Sequence, residues 1–195
     1  KGQKMSKSKG NVVNPLDMTE KYGTDSLRMS LVYGIAPASD FVVSEDKIRA
    51  QRNFVNKIWN ASRFIEMLIE RLNLSEVSNK INKEKLNDAD KDILNKLNKI
   101  IFSTTKNLEN YHFGQASEDL YQFFWHEFCD IYIESTKDRG EDVVPVLITV
   151  LENSLKLLHP FIPFVTETVY PNLQEKLNFK KELLISSSWP NEIKY

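Results

Sequence analysis

From Ser44 to about Leu72, apolar residues recur every three or four positions, the spacing of a helix that buries one side. With Arg49 set at zero and about 100° per residue, Phe54, Ile58, Ile65, Leu68, Ile69 and Leu72 gather between roughly 100° and 200°. Ser44 is placed to cap this helix, and Glu45 and Asp46 suit its first turn, where the helix dipole favours acids. A second amphipathic helix is expected over about 89–107, where Ile93, Leu97, Ile100, Ile101, Thr104 and Leu108 keep the same steps. Over about 114–136, Leu120, Phe123, Phe124, Trp125, Phe128, Ile131, Tyr132 and Ile133 cover most of the circumference, which predicts a third helix through the centre of a bundle. Asp138-Arg139-Gly140 breaks that run, and Glu141-Asp142 opens a fourth helix carrying Val146, Leu147, Val150, Leu151, Leu155 and Leu158 and ending at His159-Pro160. Pro163 suits the first turn of a short fifth helix that stops near Pro171 or resumes to Leu177. Residues 183–190 read as an extended tail packed across the bundle through its aliphatic residues and Trp189. With no internal repeat and no alternation of strands and helices, the fold class is mainly α, a helical bundle.

The segment before Ser44 follows a different pattern. Gly2, Gly10, Gly23 and Gly34 fall in the first 34 residues, whereas the rest of the chain holds only Gly114 and Gly140. Turn signals at Asn14-Pro15 and Ala36-Pro37-Ala38-Ser39-Asp40 flank two short helical candidates, about 15–22 and 25–33. Residues 1–40 therefore read as a connector carrying a loop, and residues 41–195 as a helical domain. The polar stretch 74–88 reads as a connection between helices.

Composition narrows the possibilities. The 195 residues are 41% hydrophobic and 27% charged, enough for one sizeable core. No apolar run reaches the roughly 18 to 20 residues of a membrane span, and no signal-peptide pattern follows the basic start. A net charge of −1 argues against a general nucleic-acid coat, so any RNA contact must be local, and no DNA partner is expected. The single cysteine, Cys129, excludes an internal disulfide and points to a reducing, cytoplasmic setting. His126-Glu127 lacks the second histidine of a zinc-protease helix, position 130 being Asp, so no metal site is expected.

Two polar constellations remain. The first nine residues contain Lys1, Lys4, Lys7 and Lys9 and no acid, with Gly2, Ser6 and Ser8 among them and Gly10 following. Lysines on such a loop suit a polyanion whose charge moves during a reaction. The second is the polar face of the long helix, where Arg49, Arg52, Asn53, Asn56, Asn60 and Arg63 fall within an arc of about 100°. No acid is expected to share that stripe, and Trp59 and Phe64 lie on its shoulders. Guanidinium forks, carboxamides and aromatic planes together suit unpaired bases, although a solvated helix face gives the same pattern.

The order of residues in the loop adds a resemblance. Lys4-Met5-Ser6-Lys7-Ser8, continued by Lys9-Gly10-Asn11-Val12-Val13-Asn14-Pro15, resembles the Lys-Met-Ser-Lys-Ser (KMSKS) signature of class I aminoacyl-tRNA synthetases. Tyr22-Gly23-Thr24-Asp25-Ser26-Leu27-Arg28 resembles a second segment of that family. Residues 52–64 and 125–134 look like its valyl branch, while 157–167 is shared more widely among the synthetases for branched aliphatic amino acids.

The resemblance implies an aminoacyl-tRNA ligase that activates valine with ATP, with Mg2+ present, and esterifies it to tRNA(Val). Lys7 and, secondarily, Lys4 would be the catalytic lysines on ATP, helped by Ser6 and Ser8. The helical domain would be the anticodon-binding bundle, and Arg49, Arg52, Asn53, Asn56, Asn60 and Arg63 its candidate tRNA contacts. The family's nucleotide-binding fold, with its His-Ile-Gly-His motif, would lie before Lys1, so the chain is expected to be an excised fragment, inactive alone. An isoleucyl or leucyl relative, or a noncatalytic helical adaptor that binds protein, are the alternatives.

Overall fold

The structure, a computed structural model, describes residues 5, 6, 8, 12–40, 42–74, 77–177 and 182–195. Asn14 starts the first helix: its side chain accepts the Leu16 amide at 3.1 Å, and Pro15 occupies a position whose N–H is not needed, giving α1 (Pro15–Tyr22). Gly23, at φ +89°, bonds its N–H to the Thr19 carbonyl at 2.9 Å and turns the chain directly into α2 (Thr24–Ser30). The short helix expected to reach residue 33 thus ends at Ser30. Beyond it Gly34 takes φ +65°, and its amide bonds the Gly114 carbonyl at 3.4 Å, drawing the chain out of helical register. A Cβ on Gly114 would stand 2.0 Å from the Ile35 carbonyl oxygen, so only glycine permits this crossing.

The long helix is α3 (Glu45–Arg71), whose cap residue Ser44 accepts the Lys47 amide at 3.3 Å. Phe54, Ile58, Ile65, Leu68 and Ile69 are buried, as the 3.6-residue period requires. A capping box between Asn87 and Asp90 opens α4 (Asp88–Glu109). The same Asp90 carboxylate, fully buried, takes both Nη atoms of Arg139, at 2.6 and 2.8 Å, and the Tyr132 hydroxyl at 2.6 Å. That network pins the start of α4 to the far end of the aromatic helix.

The aromatic helix begins as α5 (Phe113–Gln122) and continues without a break as a π-helix over Phe123–Ile133, bonded i to i+5, where a uniform α-helix was expected. Phe124, Phe128 and Tyr132 form a ladder with ring separations of 5.5 and 6.3 Å through the centre of the bundle. A 3-10 turn (Glu141–Val143) leads into α6 (Val144–Leu158), which packs on α4, α7 and α3. α7 (Pro163–Lys176) runs through Pro171, whose missing N–H takes one bond out of the helix, because Tyr170 and Leu173 on either side are buried.

The described part of the tail makes a 3-10 turn at Leu184–Ser186 with Leu184 buried, and Asn98 binds both the amide and the carbonyl of Ile193. Trp189 donates to the Thr105 hydroxyl at 2.9 Å, whereas Leu183 and Ile185 face solvent. Among the described residues the chain contains helices and no strand.

Candidate nucleic-acid interface

α3 carries the polar stripe because its opposite face is committed to the core. Arg49, Arg52, Asn53, Asn56, Asn60 and Arg63 are all exposed, and they follow one another along the helix. The expectation that no acid shares the stripe needs correction. Arg49 bonds the Asp46 carboxylate at 2.7 Å, and Arg63 bonds the buried Glu66 at 2.9 Å. The helical wheel places both acids at the edges of the arc, but arginine stems are long enough to reach one turn along. The carboxamides of Asn53, Asn56 and Asn60 make no hydrogen bond among the described residues, which leaves them available to a ligand.

Beside the stripe, on the side facing the π-helix, Lys57 lies 5.4 Å from the Trp125 ring centre and 2.7 Å from Asp130. Burial is the largest influence on the Lys57 ammonium and works against it, but the Asp130 hydrogen bond and the negative charges around it together outweigh burial and raise its pKa above the ordinary lysine value. Trp125 stacks on Tyr121 with ring centres 5.4 Å apart, and His126 bonds the other Asp130 oxygen at 3.2 Å. The sequence pattern assigns Trp125 to the core; the half-buried Trp125 and Tyr121 and the exposed His126 instead form a ledge over the buried Phe54, whose ring centre lies 4.7 Å from that of Tyr121 and 6.3 Å from that of Trp125. Cys129 behind them is buried, which pushes its thiol up to about 12.

Of the lysine loop, Lys4 and Lys7 lie outside the described residues, as do Lys1 and Lys9. Ser6 and Ser8 are described, with their Oγ atoms 2.7 Å apart.

The joint that holds α1 and α2 to the bundle was not foreseen. Asp25, 5% exposed, accepts the Val165 amide at 2.7 Å on one oxygen and the Phe164 amide at 3.2 Å on the other, so it caps the N-terminus of α7 from another helix. One turn further along α2, Arg28 donates to the carbonyls of Phe161 and Pro160, each at 3.1 Å. Burial pushes the Asp25 carboxyl above the usual carboxylate range, against the pull of the two amides. Burial likewise lowers the pKa of His159, whose Nδ1 lies 2.9 Å from the Thr166 hydroxyl.

At the other end of the joint, the Tyr22 hydroxyl donates to Glu45 at the start of α3 at 2.7 Å, and Lys21 pairs with the same carboxylate. The family-like segment 22–28 contains Asp25 and Arg28, but nothing in it points to their partners, which lie 132 to 140 residues away. Between this joint and the stripe opens a cleft of about 320 Å3, lined by Thr24, Arg52, Asn56, Trp59, Phe164 and Thr168 among others.

The arrangement has counterparts among known proteins. Residues 90–195 match the family model described as the anticodon-binding domain of tRNA ligase, and residues 1–44 match that of the class I tRNA synthetases (I, L, M and V). The valine--tRNA ligase of Clostridium tetani is 44% identical over 97% of this chain, which spans 22% of that relative. The valine--tRNA ligase of Geobacter sulfurreducens is 47% identical over 88% of the chain, corresponding to 20% of its own length. The chain thus spans about a fifth of the length of these relatives. Among solved structures, Agrobacterium radiobacter LeuRS in a ternary complex with tRNA and LeuAMS superposes with a TM-score of 0.73 at 22% identity, over 98% of this chain and 22% of that one. Apo Mycobacterium tuberculosis methionyl-tRNA synthetase shares the fold at a TM-score of 0.67 and 14% identity, over 85% of this chain and 37% of its own. More than half of the residues falling within one family model, the chain belongs to the anticodon-binding domain family of the tRNA ligases, within the class I synthetases.

Proposed function

We propose that the chain is the tRNA-contacting part of a valine--tRNA ligase, in which a connector (residues 1–40) carries the Lys4–Ser8 loop and a helical domain (residues 41–195) takes tRNA(Val). The observation that carries this proposal is the agreement along nearly the whole chain with valine--tRNA ligases, through the lysine loop and the helical domain alike. The exposed row of arginines and carboxamides on α3 supports it, since it offers phosphate-binding forks and base-reading amides on one rigid helix. The cytosol is the compartment proposed for this function.

In the reaction so assigned, the valine carboxylate attacks the α-phosphorus of ATP and pyrophosphate leaves; a hydroxyl of the terminal tRNA ribose then attacks the adenylate carbonyl, forming the ester and releasing AMP. Charge builds up on the departing pyrophosphate. Lys7, with Lys4, neutralises that charge as it develops, so both act on the rate of the chemical step more than on ground-state ATP binding. Ser6 and Ser8 assist through their hydroxyls. Among the described residues no three His, Cys, Asp or Glu side chains are grouped to hold a metal.

The test is a single-turnover measurement in the full-length ligase. Lys7→Ala should slow adenylate formation by at least about tenfold, a loss of roughly 1.4 kcal/mol of transition-state stabilisation, while tRNA affinity stays put. Unchanged adenylate kinetics in Lys7→Ala would contradict the assignment.

A further inference from the structure

The lysine loop continues into α1, and α1 is anchored at its far end. Lys7 precedes Pro15, the first residue of the helix, by eight positions. Tyr22, the last residue, is the one α1 side chain that is buried, whereas Leu16 near the start is 73% exposed. Gly23, at φ +89°, separates α1 from α2, so no continuous helix carries the direction of one into the other. Asp25 and Arg28 fasten α2 to the start of α7, which leaves the angle across Gly23 to be set by other contacts.

Those contacts run from the end of α1 to the start of α3. The Tyr22 hydroxyl donates to Glu45 Oε1 at 2.7 Å, Lys21 pairs with the same oxygen, and the Lys21 ammonium lies 5.2 Å from the Tyr22 ring centre. Glu45 is a firm base, because it is the first residue of the 27-residue α3, behind the Ser44 cap and at the end of the helix that favours an acid. The bonds from Lys21 and Tyr22 hold its carboxyl below the usual carboxylate range, so the acceptor is charged at neutral pH. At the other end of α1, Asn14 accepts the Leu16 amide at 3.1 Å and donates to Asp17 at 2.8 Å, which fixes how the chain enters the helix. Direction set at Tyr22 is thus passed along α1 to Asn14.

The leverage is considerable. Eight residues at about 1.5 Å each make α1 roughly 12 Å long, so a tilt of about 5° about Tyr22 moves its start by about 1 Å. Misplacement by about 1 Å can slow a reaction that depends on alignment about a hundredfold.

We propose that Tyr22 and Glu45 are positioning residues for adenylate formation: their hydrogen bond sets the direction of α1 and, through it, the placing of Lys7 and Lys4 against the departing pyrophosphate. The proposal rests on the assignment of these lysines to ATP. Tyr22 and Glu45 act through the loop and not on the substrate.

The experiment follows adenylate formation in single turnovers of the full-length ligase over a range of ATP concentrations. Tyr22→Phe keeps the buried ring and removes only the hydroxyl. It should lower the rate at saturating ATP about fivefold or more, while the half-saturating ATP concentration and tRNA affinity stay within about twofold. Glu45→Ala should do the same, and Glu45→Gln, which still offers Tyr22 an oxygen, should recover most of the loss. In a Lys7→Ala background Tyr22→Phe should cost less than about twofold, because the main group that the joint places is already gone. A variant that merely loosened the fold would lose as much there as in the parent. Rates within about twofold of the parent for Tyr22→Phe and Glu45→Ala, with Lys7→Ala slowed about tenfold, overturn the positioning role and leave the loop assignment standing. An equal cost of Tyr22→Phe with and without Lys7 overturns it as well. Lys7→Ala as fast as the parent overturns the loop assignment, and the positioning role with it.

Discussion

Asp25→Ala is the perturbation that most directly tests how the connector is held. The carboxylate occupies the N-terminus of α7 and satisfies two amides, those of Val165 and Phe164, at 2.7 and 3.2 Å. Alanine leaves both without a partner beside a buried Val165. Removing a helix cap costs about 0.5 to 2 kcal/mol, and a hydrogen bond to a charged group is worth about 1.5 to 3. Against this, the burial that raises the pKa of Asp25 shows that holding its charge carries a cost of its own.

The net expectation is a loss of about 2 to 3 kcal/mol, or a fall in Tm of roughly 4 to 12 °C for a domain of this size. Asp25→Asn, which keeps one carbonyl oxygen for one amide, should lose about half as much. Urea melts followed by far-UV circular dichroism provide the assay, since the midpoint should move with an unchanged slope. A change below about 0.5 kcal/mol for Asp25→Ala would refute the view that this contact fixes α2 to the bundle. The pH dependence has a definite sign: with its folded pKa above the unfolded one, this group favours the fold below the unfolded value, and the contribution is lost as pH rises through the folded value.

Arg139→Ala should cost about 3 kcal/mol, the lower end for breaking a buried ion pair because the arginine side chain is still 22% exposed; a double-mutant cycle with Asp90→Asn measures the coupling. Burial pushes the Asp90 carboxyl up, but Arg139 and Tyr132 outweigh it and hold the pKa below the ordinary value. Stability from Asp90 is therefore present above its unfolded pKa and lost as pH falls through the folded one, a loss that acid titration of Asp90→Asn should no longer show. Gly114→Ala should destabilise by more than about 2 kcal/mol, since its Cβ would meet backbone at the Ile35 carbonyl 2.0 Å away; a melting curve superposable on the parent would refute that close approach.

The extent of α3 was legible because five buried residues repeat at the helical period behind a serine cap. The π-helical stretch was not, since apolar residues cover the circumference and leave no period from which a widened turn could be inferred. The resemblance of the loop to a synthetase signature rests on the order Lys-Met-Ser-Lys-Ser, not on charge alone, which any basic terminus shares. The acids on the α3 stripe escaped the helical wheel because it records where Cβ points, not how far an arginine reaches. Asp25 and Arg28 stayed hidden for a different reason: nothing within α2 distinguishes a surface acid and base from a pair that grips α7 more than 130 residues later. The cleft inherits that blindness, because Phe164 and Thr168 come to Arg52 and Trp59 only through the tertiary fold.

Whether the exposed face of α3 binds tRNA is decided by equilibrium binding of the chain to a tRNA(Val) transcript, compared with an unrelated RNA of equal length. The chain should bind tRNA(Val) preferentially and in a salt-dependent way, and substitution of Arg49, Asn53, Asn60 or Arg63 should weaken that binding while the bundle stays folded. Equal affinity for the two RNAs, or affinity retained in all four variants, would contradict it.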